Sequence, residues 1–105
     1  MSAGILEEVR VSASKRILFT PHAIRQMSLP ERMITPTEVR NVVTTGELVE
    51  EYLEDPRGGS CLLLGFGDVG RPLHVVCAPK TEYLAIITAY SPDPRRWSPD
   101  LKRRL

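Results

Sequence analysis

The stretch CLLLGFGDVGRPLHVVCAPKTEYLAIITAY, residues 61–90, holds three short apolar runs separated by polar breaks. Short runs rich in Val, Ile and aromatic residues, bounded by Gly, Asp and Pro, read as β-strands. The breaks at Gly67-Asp68-Val69-Gly70 and Lys80-Thr81-Glu82 are far shorter than the roughly dozen residues of a parallel crossover, so neighbouring strands are antiparallel. Pro92 and Pro94 end the sheet, because proline cannot donate to a ladder. The central strands are apolar on both faces. One face can meet helices, and the other needs a cover: the C-terminal tail, a partner, or a concave floor.

Working outward, Leu48 to Leu53 reads as a further strand, joined to the next by a turn at Pro56-Arg57-Gly58-Gly59. Upstream, two helix starts use one device. Thr20-Pro21 and Thr35-Pro36 each place a capping hydroxyl before a proline at the first helical position, and Glu38 completes a capping box with Thr35. Ile24 and Met27 mark one face of the first helix, which stops near Leu29-Pro30. Val39, Val42 and Val43 mark one face of the second, with Gly46 as a left-handed terminator. Ile17-Leu18-Phe19 enters as an edge strand. Residues 1–16 fit both a helix, through Ile5, Leu6 and Val9, and a strand, through Val9, Val11 and Ala13. The expected fold is one α+β domain over residues 17–105, with helices near 21–29 and 36–45 packed on a four- to five-stranded antiparallel sheet. The four main strands fall near 47–54, 60–67, 71–78 and 83–91.

The chain has 105 residues, with 14 Lys+Arg against 13 Asp+Glu and a net charge of +1. That is room for one core. The charge is segregated: Glu47, Glu50, Glu51, Glu54 and Asp55 form an acidic run, whereas Arg95, Arg96, Lys102, Arg103 and Arg104 make the tail basic. Such a tail suits phosphate or an acidic partner, and equally a solvated terminus. Cys61 and Cys77 are the only cysteines, too few for a disulfide framework or a metal cluster. They face each other roughly across one strand pair, as two core thiols. No metal, no cofactor and no membrane span are expected, and a reducing cytoplasmic location follows.

Chemistry falls on few residues. His22 lies in the first turn of a helix, where the macrodipole disfavours imidazolium; it is either a neutral base or an ordinary surface residue. A three-residue loop at 80–82 places His74 opposite Thr88, with Tyr90 further along the same face. With Arg71 at the strand entrance, these side chains either form a proton-moving, phosphate-steadying site or leave His74 a buried histidine satisfied by Thr88.

The blocks Phe19-Thr20-Pro21-His22-Ala23, Met27, Ile34-Thr35, Glu38-Val39 and Gly46-Glu47 follow one another in order. After them come Gly70-Arg71-Pro72-Leu73-His74-Val75-Val76, then Ile87-Thr88-Ala89-Tyr90-Ser91-Pro92-Asp93 and a tail with Trp97. This succession resembles domain-of-unknown-function family 4258. The chain departs from that pattern at Gln26, where the family usually has arginine, and at Met33, where it usually has glycine. The family is similar to the BrnT and RelE-like toxins of bacterial toxin–antitoxin pairs. The resemblance therefore implies a RelE/BrnT-like fold and a metal-independent ribonuclease. Its catalytic set would be His74, Arg71, Tyr90, Thr88 and His22, its RNA-binding set Arg95, Arg96, Lys102, Arg103 and Arg104, and its partners RNA and a small antitoxin, of zinc-finger type. A non-catalytic protein- or RNA-binding module and a purely structural relative are the competing readings.

Overall fold

The computed structural model describes residues 4–56 and 58–105. Helix α1 (Ile5–Lys15) leads into strand β1 (Ile17–Phe19), and helices α2 (Pro21–Met27) and α3 (Pro36–Thr45) follow. Strands β2 (Glu47–Tyr52), β3 (Ser60–Phe66), β4 (Pro72–Pro79) and β5 (Leu84–Tyr90) complete a five-stranded sheet in the order β1-β5-β4-β3-β2. In the turn at 56–59, Arg57 lies outside the described residues, as do residues 1–3 of the N-terminal segment.

The capping residues act as their chemistry dictates. The Thr20 hydroxyl accepts from the Ala23 N–H at 3.0 Å and donates to the Ile87 carbonyl at 3.1 Å, tying α2 to β5. The capping box at Thr35 and Glu38 is complete. Residues 5–15, open between helix and strand in the sequence, are helical, with Ile5, Val9 and Ser12 buried at helical spacing.

Expectations about the sheet, α2 and Gly46 need correction. The sheet is mixed, because β1 runs parallel to β5; the short-connection rule binds only consecutive strands, and nearly the whole domain separates these two. The buried face of α2 is Ala23 and Met27, whereas Ile24 is exposed. Gly46 has φ −74, so it is not a left-handed terminator. It serves close approach instead: a Cβ there would lie 2.5 Å from the Val42 carbonyl oxygen and 2.7 Å from that of Leu64. Both obstacles are backbone. Gly46→Ala is therefore expected to destabilise the fold by roughly 3 kcal/mol, the upper range for overpacking, read as a lower urea midpoint with unchanged slope.

The core lies between the helices and one sheet face, where Val9, Val39, Val42 and Val43 meet Leu63, Leu73, Val75 and Ile86. Cys61 and Cys77 face each other within it, sulfurs 3.9 Å apart. Contact with Cys61, together with burial, holds the Cys77 thiol well above its ordinary range, as suits a core residue.

The register of β4 on β5 differs from expectation. Pro79 pairs with Leu84 across a longer loop, and a bulge at Ile87 shifts the ladder once more, so His74 lies opposite Tyr90 and Val76 opposite Thr88. A one-residue slip exchanges faces, but two slips cancel. His74, Thr88 and Tyr90 therefore still share the face turned away from the helices.

Candidate functional site

That second face is covered by the C-terminal tail. Residues 96–105 fold back as a hairpin, with Trp97 bridged to Arg104, the Ser98 N–H donating to the Arg103 carbonyl at 2.8 Å and the Leu105 N–H to the Arg96 carbonyl at 3.0 Å. Leu101 turns with φ 64, a costly conformation for a branched side chain, and presents its carbonyl to the sheet.

His74 is the anchor. It is fully buried, its Nε2 lies 2.8 Å from the Leu101 carbonyl oxygen, and its Nδ1 lies 3.2 Å from the Tyr90 hydroxyl. A carbonyl can only accept, so Nε2 carries the ring proton and Nδ1 accepts from Tyr90. The Trp97 ring meets the imidazole edge-on at 4.5 Å, and the Arg104 guanidinium lies 4.7 Å from the centre of the Trp97 ring. Burial holds His74 below its ordinary value and Tyr90 above its own, so both are neutral near pH 7.

Arg104 also binds Glu50 at 3.0 Å, which keeps that carboxyl below its usual range. Glu50 in turn accepts from Tyr52 at 2.6 Å, whose phenol is pushed up to about 12 by burial and by Glu50. Lys102 pairs with Glu47 at 2.6 Å in an exposed contact. Two expected RNA-binding cations are thus tied to the acidic run of β2.

His74→Ala would remove both ring hydrogen bonds and the surface under Trp97. The expected loss is roughly 3 kcal/mol of stability, with faster tryptic cleavage in the tail as its readout. The pH dependence has a definite sign. A folded-state value below 6.5 means that the unfolded chain binds the proton first, so stability is full above about pH 6.5 and declines below it.

Beside this anchor lies a cleft of about 610 Å³ whose lining includes Arg32, Tyr90, Arg95, Arg96, Trp97 and Arg104. Arg95 pairs with Asp93 at 3.1 Å, whereas Arg96 makes no side-chain hydrogen bond or ion pair among the described residues. Arg32 donates to Gln26 at 2.6 Å. Gln26, near the end of α2, thus holds a guanidinium supplied from the following turn. Arg103 is exposed and does not line the cleft.

The grouping expected from sequence divides. Tyr90 meets His74, but the hydrogen bond expected of Thr88 goes to Tyr90 and Leu101. His22 is exposed on α2, away from the cleft lining. Arg71 is separated from His74 altogether. It binds both oxygens of Glu38, at 2.9 Å and 3.1 Å, and donates to the carbonyls of Arg32 and Met33. Glu38 is nearly fully buried on α3. Burial raises its pKa, but the backbone N–H groups of Thr35 and Asp68 and the Arg71 guanidinium outweigh it, and the net shift is downward. Arg71 is a structural tie among α3, the turn before it and the 67–71 loop. The tail, one of the three covers the sequence left open, is the one that closes the second face, whereas Arg32 went unmarked; a lone arginine between Pro30 and Met33 carries no local signal.

Among the described residues no cluster of His, Cys, Asp or Glu could hold a metal ion, and no helix is long and apolar enough to cross a membrane. No curated protein and no solved structure matches the chain. One family model, described as a domain of unknown function, matches residues 19–91, from the end of β1 to the residue after β5. The match takes in both helix caps, the Glu38–Arg71 tie and the His74–Tyr90 pair, and on it the chain belongs to the DUF4258 family.

Proposed function

We propose that the protein is a metal-independent, RelE-like endoribonuclease, the toxin of a bacterial toxin–antitoxin pair, and that RNA lies in the arginine-lined cleft. One observation carries this reading: four arginines (Arg32, Arg95, Arg96 and Arg104) border one cleft with a single phenol, Tyr90. Guanidinium groups match phosphate in charge and geometry. Cleavage without a metal needs a base for the 2′-hydroxyl proton and cations for the phosphorane. For the first the cleft offers the Tyr90 hydroxyl, which takes the 2′-hydroxyl proton as it passes its own to Nδ1 of His74, and for the second the arginines. The products would be a 2′,3′-cyclic phosphate and a 5′-hydroxyl, the 2′-hydroxyl proton being balanced by one delivered to the leaving oxygen.

This assignment moves the site from the expected one. His74 becomes a buried support, Arg71 leaves the set, and Arg32 joins it. A small antitoxin, of zinc-finger type, and a cytoplasmic location belong to the same reading. The sheet face once open to such a partner is occupied by the tail, so an antitoxin would dock elsewhere or displace the tail. A second reading, a non-catalytic RNA-binding module, is favoured by His74 having both ring nitrogens occupied.

The test is incubation of the full chain with RNA in EDTA. Fragments ending in cyclic phosphate support the nuclease; binding without fragments supports the module; the absence of both would leave the cleft no role in RNA chemistry. Binding itself should weaken with salt. For about four phosphate contacts to a single strand, the log–log slope is expected near −3, and Arg96→Glu should make it shallower.

A further inference from the structure

We propose that His74 and the Leu101 carbonyl are positioning groups that fix Tyr90 as a hydrogen-bond acceptor toward the cleft, so that the site selects a nucleotide with a 2′-hydroxyl beside its phosphate. This rests on the reading of the cleft as an RNA site and adds how that site tells ribose from deoxyribose.

The argument is one of hydrogen-bond direction. The Leu101 carbonyl has no proton to give, so the contact at 2.8 Å places the imidazole proton on Nε2. Nδ1 then has only a lone pair, and the contact at 3.2 Å is a bond donated by Tyr90. A phenol has one proton. With that proton committed inward, Tyr90 can offer the cleft only acceptor lone pairs. A phosphate oxygen, itself an acceptor, gains nothing from Tyr90 and falls to the arginines. A sugar hydroxyl can donate, and a 2′-hydroxyl lies next to the 3′-phosphate that the arginines would hold. A deoxyribose leaves the Tyr90 oxygen without that donor.

The orientation is built into the fold. Leu101 holds a left-handed backbone, φ 64, where it presents the carbonyl, and its N–H is tied to the Ser98 carbonyl at 2.8 Å. The Trp97 ring at 4.5 Å clamps the imidazole from the tail side. The groups facing His74 are Glu50 from β2, Tyr90 from β5, and Trp97, Leu101 and Arg104 from the tail hairpin. Protonation of the imidazole reverses the bond. Nε2 keeps its proton and its carbonyl, Nδ1 gains one and donates it to Tyr90, and the phenol proton must turn into the cleft. Tyr90 then suits a phosphate oxygen, and the preference for ribose fades.

The experiment uses uridine 3′-monophosphate and its 2′-deoxy counterpart, neither of which contains a diester to cleave. Both are titrated by NMR into the full chain, at pH 7.5 and at descending pH until the His74 ring resonances themselves report its protonation. Wild type is expected to favour the ribonucleotide by about tenfold at the higher pH, the worth of one hydrogen bond. Tyr90→Phe is expected to bind both nucleotides alike while keeping its phosphate affinity. Acidification should erode the preference in wild type and leave Tyr90→Phe unchanged; phosphate titration is common to both ligands and cancels in the ratio. Equal affinities in wild type at pH 7.5, a preference that survives in Tyr90→Phe, or one indifferent to acid would overturn the inference and leave the RNA cleft standing. Binding of neither nucleotide would overturn both.

Discussion

Tyr90→Phe is expected to lower RNA cleavage by about a hundredfold or more, the usual loss on removing a positioned acid–base group. The substitution removes one oxygen from a half-buried ring and leaves the four arginines in place. Its effect should therefore fall on turnover, with binding of an oligoribonucleotide reduced far less. Stability should drop by only about 1 kcal/mol, the net worth of the bond to His74. A variant that cleaves at the wild-type rate would remove Tyr90 from the chemistry.

Arg71→Ala is expected to cost roughly 3–5 kcal/mol of folding free energy, as when one partner of a buried ion pair is removed. Glu38 is 3% exposed and would keep its charge without the guanidinium beside it. Glu38→Gln with Arg71 intact should be milder, because Arg71 retains the carbonyls of Arg32 and Met33. The wild-type pair also gives stability a pH dependence of known sign. A folded-state carboxyl below 4.5 stabilises fully above that pH and loses its contribution as pH falls through the folded value. Chemical denaturation of the two variants across pH 3–7 would show both effects.

Local chemistry was legible in the sequence. The Thr-Pro caps and the Glu38 capping box fixed where α2 and α3 begin, and the polar breaks at 67–70 and 80–82 separated β3, β4 and β5. Helix α1 was hidden because Ser12 sits in its buried stripe, where it donates to the Lys80 carbonyl at 2.6 Å; a polar residue there breaks the apolar period. The β4–β5 register was hidden for a different reason. Ile86 and Ile87 are both buried, and an apolar run without alternation gives no sign of which residue bulges. The capping role of Glu38 could be read from its spacing to Thr35. Its second role, with Arg71 from more than thirty positions away, depends on tertiary packing alone. The same holds for the cleft, since Arg32, Tyr90 and Arg104 meet only after the tail folds back over the sheet.

The central claim is that RNA occupies the cleft beside Tyr90, and ¹⁵N chemical-shift mapping of the full chain with a short oligoribonucleotide tests it most directly. The account predicts shifts concentrated on the guanidinium Nε–H groups of Arg32 and Arg96 and on the backbone of Tyr90, Ser91 and Trp97, fading as salt rises. Shifts confined to α1 and α3, or a saturated complex in which the cleft residues do not move, would contradict it.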